Sequence, residues 1–511
     1  MSIWRGPDCE SGTLWCPWRK GVPAWISFLA IEDGRRVVID PHLRQCFEKW
    51  QLSFFSPADV PRFSKWDFMK IYRARNPRKS PLWQCAHRHF STFLDRYPED
   101  YQPRHGPLRP VVNAVVHKFL DCGNLERGFA RIHCTACGLD ALLAFSCKSR
   151  WFCPSCHQKN VLTSAEFLVA RVLAPVHHRH YVLALPKMLR PYFQRHRVLL
   201  KHLCTAAHES LSIYLRAALE NQKAHPAIIL TLHTFGEYLD FHPHIHALVA
   251  DGLFTRDGVF HPMPQLPIKP LEEIFRARVI QLLVELDLLK ADRVKLLYSW
   301  KHSGFNVHRG ESVGPENKSL LIQLTQYILR NPFSVEKMTL QSPGDAIIYR
   351  SKLNPKINRN FEIFTGPDFL ATITQHIPDK GAQMVRYYGW YSNKMRGQRH
   401  IAQNGFPAEP LRPASTPPPP ATLPSKKWRD VILKVWHTDP LLCPHCQHKM
   451  EVIAVIHQRG VIERILRHVG LWSGTPRMAP SRAPPREQTE HRSSPYDMSD
   501  PMPDYENVYT D

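Results

Sequence analysis

Apolar residues recur through the middle of the chain at two spacings, one typical of strands and one typical of helices. Strand-like runs lie at 181–185, 228–235 and 244–250, and the stretch at 188–219 between the first two has helical spacing. Gly236 marks a turn before the third run. These runs predict a mixed sheet backed by helices, which is an α+β architecture.

Helices with one apolar face are predicted on both sides of this sheet region. Their apolar residues recur three and four positions apart, which places them on one side of a helix. The predicted helices cover 81–94, 161–173, 273–289, 319–329 and 368–377. A further short strand is expected at 346–349.

The distribution of cysteine and proline divides the chain into parts. Cysteine is dense from 122 to 157, which indicates a small metal-organised module, and proline is dense from 406 to 427, which favours an extended linker. The last residues have too few apolar side chains to fold alone. The predicted parts are an N-terminal helical region at 1–105, the cysteine-rich module at 106–165, the main domain at 166–405, the linker at 406–427, a small C-terminal domain at 428–472 and a disordered tail at 473–511.

The charge balance indicates the class of partner. The chain has 67 lysine and arginine residues against 45 aspartate and glutamate residues, a formal net charge of +22. This excess is typical of proteins that bind nucleic acid. A membrane surface would also attract it, but no run of about 18 apolar residues predicts a spanning helix. The first residues lack the pattern of a secretion signal, so we expect a cytoplasmic protein with reduced cysteines.

The third strand-like run contains a pair of histidines that predicts a metal site. Side chains alternate between the two faces of a strand, so His244 and His246 project to one side, about 7 Å apart along the strand. Two imidazoles at this spacing can chelate one divalent ion. His242 could supply a third ligand unless Pro243 turns the chain before it. The alternative is that these histidines face solvent on a half-buried strand.

A tyrosine on one of the predicted helices is a candidate nucleophile. The helix at 319–329 ends before Pro332, because proline disfavours helical geometry in the residue before it. Tyr327 lies one turn after Gln323, on the polar side of this helix, where its hydroxyl can be presented. The alternative is an aromatic residue at the edge of the core.

Two pairs of cysteines predict a structural zinc site. The pairs Cys134-x-x-Cys137 and Cys153-x-x-Cys156 each form a knuckle, and two knuckles complete a tetrahedral zinc site. A second ion or a different ligand set stays open, because other potential ligands lie nearby. These are Cys122, His133, Cys147 and His157.

A third pair, Cys443-x-x-Cys446, begins the small C-terminal domain and resembles half of a zinc ribbon. His445 and His448 lie beside it, and His437 or His457 could complete the ligand set. The alternative is a turn without a metal.

Five segments in this order resemble the HUH rolling-circle transposases of the insertion-sequence 91 type, named for a histidine-hydrophobic-histidine strand. They span most of the chain between 110 and 472. The segments are 146–156, 234–246, 327–334, 386–389 and 439–446.

This resemblance implies a palm-like antiparallel sheet that carries the histidines on a central strand. It implies that His244 and His246 bind Mg²⁺ or Mn²⁺, and that Tyr327 attacks a DNA phosphate to give a 5′-phosphotyrosine and a free 3′-hydroxyl. The implied partner is DNA, namely the single-stranded ends of a mobile element, in a bacterial protein associated with the nucleoid. The implied activity is rolling-circle DNA transposition.

One position departs from the family pattern. Typical members have two tyrosines four residues apart on this helix, whereas Gln323 stands four residues before Tyr327. The sequence therefore resembles the single-tyrosine subgroup, in which one tyrosine acts twice or a second protomer contributes. A catalytically inactive, zinc-dependent DNA-binding protein derived from a transposase is the rival interpretation, and a metal hydrolase that uses water is a third.

Overall fold

The structure is a computed structural model that describes residues 77–149, 151–341, 346–355, 358–404, 429–430, 433 and 439–474. The first 76 residues of the predicted N-terminal region, the predicted linker at 406–427 and nearly all of the predicted tail lie outside the described residues. No helix in the described part is long and apolar enough to cross a bilayer.

The helices begin and end close to the positions that apolar spacing predicts. Proline in the first turn begins several of them, because it has no amide hydrogen to leave unpaired there. The helices are α1 (Pro81–Arg96), α2 (Gln102–His105), α3 (Pro110–Leu120), α4 (Pro154–Phe167), α5 (Arg190–Arg195), α6 (Leu199–Ala218), α7 (Lys269–Glu285), α8 (Ala291–Ser299), α9 (Lys318–Ile328), α10 (Gly366–Thr374), α11 (Asn393–Asn404) and α12 (Arg459–His468).

The strands form three separate sheets. Each of the predicted strand-like runs is found, and each is longer than predicted at one or both ends. The strands are β1 (Phe129–His133), β2 (Asp140–Ala144), β3 (His178–Ala184), β4 (His225–Phe235), β5 (Phe241–Phe254), β6 (Phe260–Pro262), β7 (Asn306–Val313), β8 (Met338–Leu340), β9 (Ile347–Asn354), β10 (Arg359–Phe364), β11 (Val385–Gly389) and β12 (Glu451–Ile456).

The central sheet has the strand order β11-β4-β5-β3-β7, and β6 pairs with the end of β5. Every neighbouring pair among these described strands is antiparallel, so the expectation of a mixed sheet was wrong. Strands β4 and β5 are buried along almost their whole length, because helices cover both faces of the sheet. The long strand β5 therefore lies in the middle of the sheet.

Alternation along β5 separates the two faces. Ile245, Ala247 and Val249 pack against α6 and α7 in the largest apolar cluster. Leu248 and Ala250 face the other side, where they pack beneath α4 and α9. Histidines 244 and 246 share that second face, so the strand pattern places both imidazoles on the side covered by α9.

A glycine lets the edge strand β11 lie close to its neighbour β4. Gly389, at the end of β11, has a φ of 56°, and a Cβ added there would lie 1.8 Å from the carbonyl oxygen of Pro226. The backbone amide of Trp390 donates to that same carbonyl at 2.8 Å. The last residue of the 386–389 motif therefore permits a close approach of two strands that any side chain would prevent.

A second sheet pairs strands near residue 130 with a strand near residue 450. It has the order β12-β1-β2, with β12 antiparallel to β1. Helix α12 packs Ile462 and Leu466 against Phe129 of β1. The cysteine-rich module predicted at 106–165 and the C-terminal domain predicted at 428–472 therefore share one sheet and one small core.

The third sheet, with the order β10-β9-β8, packs against α1 and α10. Phe90 and Phe93 of α1 and Phe369 of α10 are fully buried in this cluster. Phe152, which directly precedes Cys153, belongs to the same cluster. This core therefore holds the cysteine-rich segment beside the main domain.

Candidate active site

The predicted histidine pair is buried on the central strand β5. His244 is 8% exposed and His246 is 2% exposed, and their Nε2 atoms lie 3.1 Å apart. Their rings face α9 rather than solvent, so the alternative of a solvent-facing pair was wrong.

The third histidine of this group is His233, on the neighbouring strand β4. His233, His244 and His246 each direct one ring nitrogen into a common space, with all three nitrogens within 4.8 Å of one another. His233 stands directly opposite His244 in the register of β4 and β5. His242, suggested as a third ligand, does not belong to this group. Its ring lies 5.1 Å from that of His244, and the pairing of β4 with β5 is irregular between Phe241 and His244.

Hydrogen bonds set which ring nitrogen of each histidine is left to bind a metal. His244 Nδ1–H donates to the backbone oxygen of His242 at 2.8 Å, so its Nε2 keeps a lone pair. His233 Nε2–H donates to the backbone oxygen of Ile328 at 2.8 Å. His233 Nδ1 is buried and has no hydrogen-bond partner. An unpaired buried lone pair is costly, and a metal ion in this space would satisfy it.

His180 on β3 completes the arrangement around His246. Its Nε2 lies 2.8 Å from His246 Nδ1 and can accept the Nδ1–H of His246. His246 Nε2 is then available to a metal, as the other two ligand nitrogens are. A neighbouring imidazole thus orients this ligand in the way that outer-shell partners orient histidines in metal sites.

Burial keeps these imidazoles neutral, which is the form that binds metals. Desolvation lowers the pKa of His244 to about 4 and that of His180 to about 4. It also lowers the pKa of His233 and His246, and neighbouring histidines and the cation of Arg330 lower them further. No proton therefore competes with a metal at neutral pH.

Tyr327 lies on the exposed side of α9, next to these histidines. Its side chain is 46% exposed, and its ring lies 5.7 Å from that of His246 and 6.0 Å from that of His180, edge to face in both cases. Leu321 and Ile328 are buried on the opposite side of the helix. The prediction that Tyr327 lies on the polar side of this helix is confirmed, and the tyrosine is not a core residue.

Arg330 brings a positive charge to the same place. Its guanidinium lies 4.3 Å from the ring centroid of Tyr327 and 5.5 Å from that of Phe235. The buried Nε of Arg330 has no hydrogen-bond partner. Sequence reasoning did not identify Arg330, His180 or His233, although each has a local signal: an arginine one turn after the tyrosine, and a histidine within an apolar strand.

A cleft of about 740 Å³ opens beside the C-terminal end of α9. Its walls combine aromatic rings with amide groups, which can stack on bases and bind their edges. The lining includes Trp151, Asn160, Leu329, Tyr387, Tyr388 and Asn393.

Eight of the described cysteines form two clusters of four. In the first, the sulfur of Cys156 lies 3.8 Å from that of Cys122 and 3.5 Å from that of Cys147, and Cys122 and Cys153 are 4.0 Å apart. Four sulfurs at the zinc bond length of about 2.3 Å form a tetrahedron with edges of about 3.8 Å. These spacings fit zinc. Hydrogen bonds from the neighbouring thiols lower the pKa of Cys156, so the cluster stabilises a thiolate.

The second cluster joins two cysteine pairs that are about 300 positions apart in the chain. The sulfur of Cys134 lies 3.4 Å from that of Cys446, and the sulfur of Cys137 lies 3.6 Å from that of Cys443. Burial raises the pKa of Cys443, but the backbone amides of Cys446 and His445 outweigh it and lower the pKa to about 6. This donor set also fits zinc.

The predicted pairing of the cysteines was therefore wrong. Cys134 and Cys137 do not share a metal site with Cys153 and Cys156, because residues 443 and 446 complete the former cluster and residues 122 and 147 complete the latter. The two knuckles of the second cluster are alike: Gly138 and Gln447 both have positive φ, and each donates its amide to the carbonyl of the first cysteine of its pair. Glycine relieves the strain of this turn only in the N-terminal knuckle.

The additional histidines named as zinc ligands lie outside both clusters. His133 bonds to Asp140 at 3.1 Å, and His457 stacks on Phe145 at 4.7 Å. His157 bonds to the backbone oxygen of Leu329. His445 and His448 belong to neither metal-ligand group, and His437 lies outside the described residues.

Two family models match the chain, and both agree with these sites. A model described as a transposase zinc-binding domain matches residues 90–185, which contain the first cluster and the N-terminal knuckle of the second. A model described as a putative transposase matches residues 227–399, which contain the three histidines and Tyr327.

Two curated relatives match most of the chain. The transposase for insertion sequence element IS801 of Pseudomonas savastanoi pv. phaseolicola is 27% identical over 380 residues, which cover 69% of this chain and 85% of the relative. The putative transposase y4qJ of Sinorhizobium fredii is 25% identical over 382 residues, which cover 70% of this chain and 93% of the relative. No solved structure matches the chain.

Proposed function

We propose, from the premise that this chain belongs to the insertion-sequence 91 family of transposases, that it nicks and rejoins single-stranded DNA through a covalent bond to Tyr327. DNA transposition is the activity of the family. The single strand, the tyrosine linkage and the catalytic metal are the proposed parts. One observation supports them above all: three unprotonated imidazole nitrogens converge beside an exposed phenol.

The proposed nicking step is an in-line displacement at a DNA phosphate. The phenolic oxygen of Tyr327 forms a bond to phosphorus while the bond from phosphorus to the 3′ oxygen of the preceding nucleotide breaks. The phenolic proton passes to solvent, and the leaving 3′ oxygen takes up a proton. The products are a 5′-phosphotyrosine and a free 3′-hydroxyl, and rejoining reverses the step with another 3′-hydroxyl.

The side chains around Tyr327 have separate roles in this step. Arg330 lies where its guanidinium can contact the phosphate, whose negative charge spreads over the non-bridging oxygens during transfer. A divalent ion on His233, His244 and His246 would polarise one of those oxygens. Three imidazoles suit Mn²⁺ better than Mg²⁺, which prefers oxygen ligands. His180 keeps His246 in the tautomer that binds the ion.

The position of Gln323 supports a scheme with one tyrosine. It is exposed on α9 one turn before Tyr327, where typical members of the family carry a second tyrosine. Tyr327 would then act on both strand ends in turn, or the second tyrosine would come from another protomer. This position supports the proposal that the chain belongs to the single-tyrosine subgroup.

The path of the DNA strand follows from charge and from the cleft beside α9. The net charge of +22 favours a polyanion, and the aromatic and amide groups of the cleft suit unpaired bases. Duplex DNA could not insert its stacked bases there. Zinc at the two cysteine clusters supports folding rather than chemistry, because four thiolates leave no open position.

Trapping the covalent intermediate tests the proposal. The protein is incubated with end-labelled single-stranded DNA from the element ends and Mn²⁺ or Mg²⁺, and the products are separated under denaturing conditions. A labelled species at the mass of protein plus DNA supports the proposal. DNA binding without any adduct or nick would instead favour the inactive DNA-binding protein, and a nick without an adduct would favour hydrolysis by water.

A further inference from the structure

The helix that carries Tyr327 ends in two carbonyl groups that histidines cap. The last carbonyls of an α-helix have no partner within the helix, so its final turn frays unless other groups bind them. The backbone oxygen of Ile328 accepts a hydrogen bond from His233, and the backbone oxygen of Leu329 accepts one from His157, each at 2.8 Å. The end of α9 is thus held from two different elements.

The second of these histidines is fixed in one tautomer. The backbone amide of Trp151 donates to His157 Nδ1 at 3.1 Å, so the proton of the neutral ring is on Nε2 and points to Leu329. His157 is 1% exposed, and its ring lies 4.4 Å from the ring of Trp151. Both nitrogens are engaged in this way, and neither is directed to the cysteine cluster.

His157 is also joined directly to the first cysteine cluster. It follows Cys156 in the chain and lies in the first turn of α4, whose N-cap is Cys153. Its backbone amide donates to the carbonyl of Cys153 at 2.9 Å. A zinc ion bound by this cluster therefore fixes the turn from which the His157 side chain reaches α9.

We propose that His157 is a positioning residue, which transmits the geometry of the first cysteine cluster to Tyr327 through the end of α9. This inference rests on the proposed function of Tyr327. Leu329 is two residues after the tyrosine, so fraying of this turn moves the phenol relative to the phosphate. A displacement of about 1 Å is enough to slow a reaction of oriented groups about a hundred-fold.

Substitutions of His157 test this role against a matched control. His157→Phe keeps an aromatic ring beside Trp151 but removes the donor, and His157→Gln restores an N–H that can reach Leu329. The control is Trp83→Phe, because the indole N–H of Trp83 donates to the backbone oxygen of Leu120 at 3.0 Å and so caps the end of α3 in the same way, without contact to Tyr327.

Four quantities are measured for each variant: the single-turnover rate of adduct formation, the Kd for the same single-stranded DNA, the bound zinc, and hydrogen exchange at the end of α9. We expect His157→Phe to lower the rate about ten- to a hundred-fold and to speed exchange at residues 327–330, with unchanged zinc. The Kd should change much less than the rate, because His157 lines the cleft beside α9 but is 1% exposed there. His157→Gln should recover part of the rate. Trp83→Phe should leave the rate and this exchange unchanged.

Cysteine variants test the link to the metal. Cys156→Ser and Cys446→Ser should each lower the bound zinc by one ion, but only Cys156→Ser should speed exchange at the end of α9, because only its cluster adjoins His157. Equal exchange in both variants, or a wild-type rate in His157→Phe, would overturn the inference. If the wild-type protein forms no adduct, the proposed function fails, and the exchange measurements still decide whether the coupling exists.

Discussion

The rings of Tyr327 and His246 lie 5.7 Å apart, edge to face, across the contact between α9 and β5. They lie 81 positions apart in the chain, and they meet because α9 covers the face of the sheet on which His246 projects. A group that can attack phosphorus and a group that can bind a metal thus lie side by side.

Tyr327→Phe should abolish the covalent adduct and leave the affinity for single-stranded DNA nearly unchanged, because only the attacking oxygen is lost. Tyr298→Phe is the matched control, since Tyr298 is also about half exposed and has an arginine 4.4 Å from its ring centroid. The adduct is measured on denaturing gels and the affinity by fluorescence anisotropy. An adduct in Tyr327→Phe would place the nucleophile elsewhere.

His233→Ala should remove metal-dependent nicking by at least about a hundred-fold, because it takes one of three ligands from the proposed ion. His242→Ala should retain most of the activity, since the ring of His242 packs beside that of His244 but supplies no nitrogen to the three-histidine group. Nicking is measured across a titration of Mn²⁺ after mild EDTA treatment. Equal losses in the two variants would contradict the choice of His233 as the third ligand.

Double substitutions of cysteine test the arrangement of the two clusters. Cys134→Ser combined with Cys446→Ser should lose one zinc ion, as either single variant does, because both residues belong to one cluster. Cys134→Ser combined with Cys153→Ser should lose two. Bound zinc is measured by elemental analysis of the purified variants. Loss of a single ion when Cys134→Ser is combined with Cys153→Ser would mean that these two cysteines bind the same ion.

Binding to single-stranded DNA should weaken steeply with salt. Each phosphate that the protein neutralises contributes about 0.7 to the slope for single strands, so about six contacts lower the affinity a few hundred-fold between 50 and 200 mM salt. The Kd is measured at four or more salt concentrations with one oligonucleotide. A flat profile would exclude extensive contact with the backbone.

The stability of the fold should fall as the pH falls below about 6.5, and His208 provides a clean test. Burial, and then the charge of Arg216, lowers the pKa of His208 to about 4. Between pH 6.5 and 4 the unfolded chain therefore binds a proton that the folded chain does not. The free energy of unfolding should therefore decrease as the pH is lowered through this window.

His208→Phe keeps the ring that stacks on Tyr388 at 4.1 Å and removes this proton. The slope of the unfolding free energy against pH should become smaller by up to about 1.4 kcal/mol per pH unit. Urea unfolding between pH 5 and 7 measures it. Identical slopes would mean that His208 does not stay neutral in the folded protein.

Local patterns were sufficient to predict much of the site. Alternation along β5 predicted that His244 and His246 share a face, and the spacing of apolar residues in α9 predicted that Tyr327 is exposed. These predictions depend only on the geometry of one strand or one helix. The resemblance to a family then connected the two elements.

Contacts between distant elements could not be predicted in this way. His233 joins the other histidines through the register of β4 and β5, which places it opposite His244 and which no local spacing reveals. The cysteine pairs had several possible combinations, and the correct one joins residues more than 300 positions apart. The helix predicted at 188–219 is divided into α5 and α6, and its apolar spacing does not mark the interruption.

The second cysteine cluster also has a consequence for the order in which the protein matures during synthesis. Cys134 leaves the ribosome long before Cys446, and its zinc site has only two of four ligands until the last part of the chain is made. Strand β1 likewise lacks one neighbour until β12 arrives. Nascent chains and products of a truncated element therefore expose an incomplete metal site and an open strand edge, features that invite aggregation and degradation.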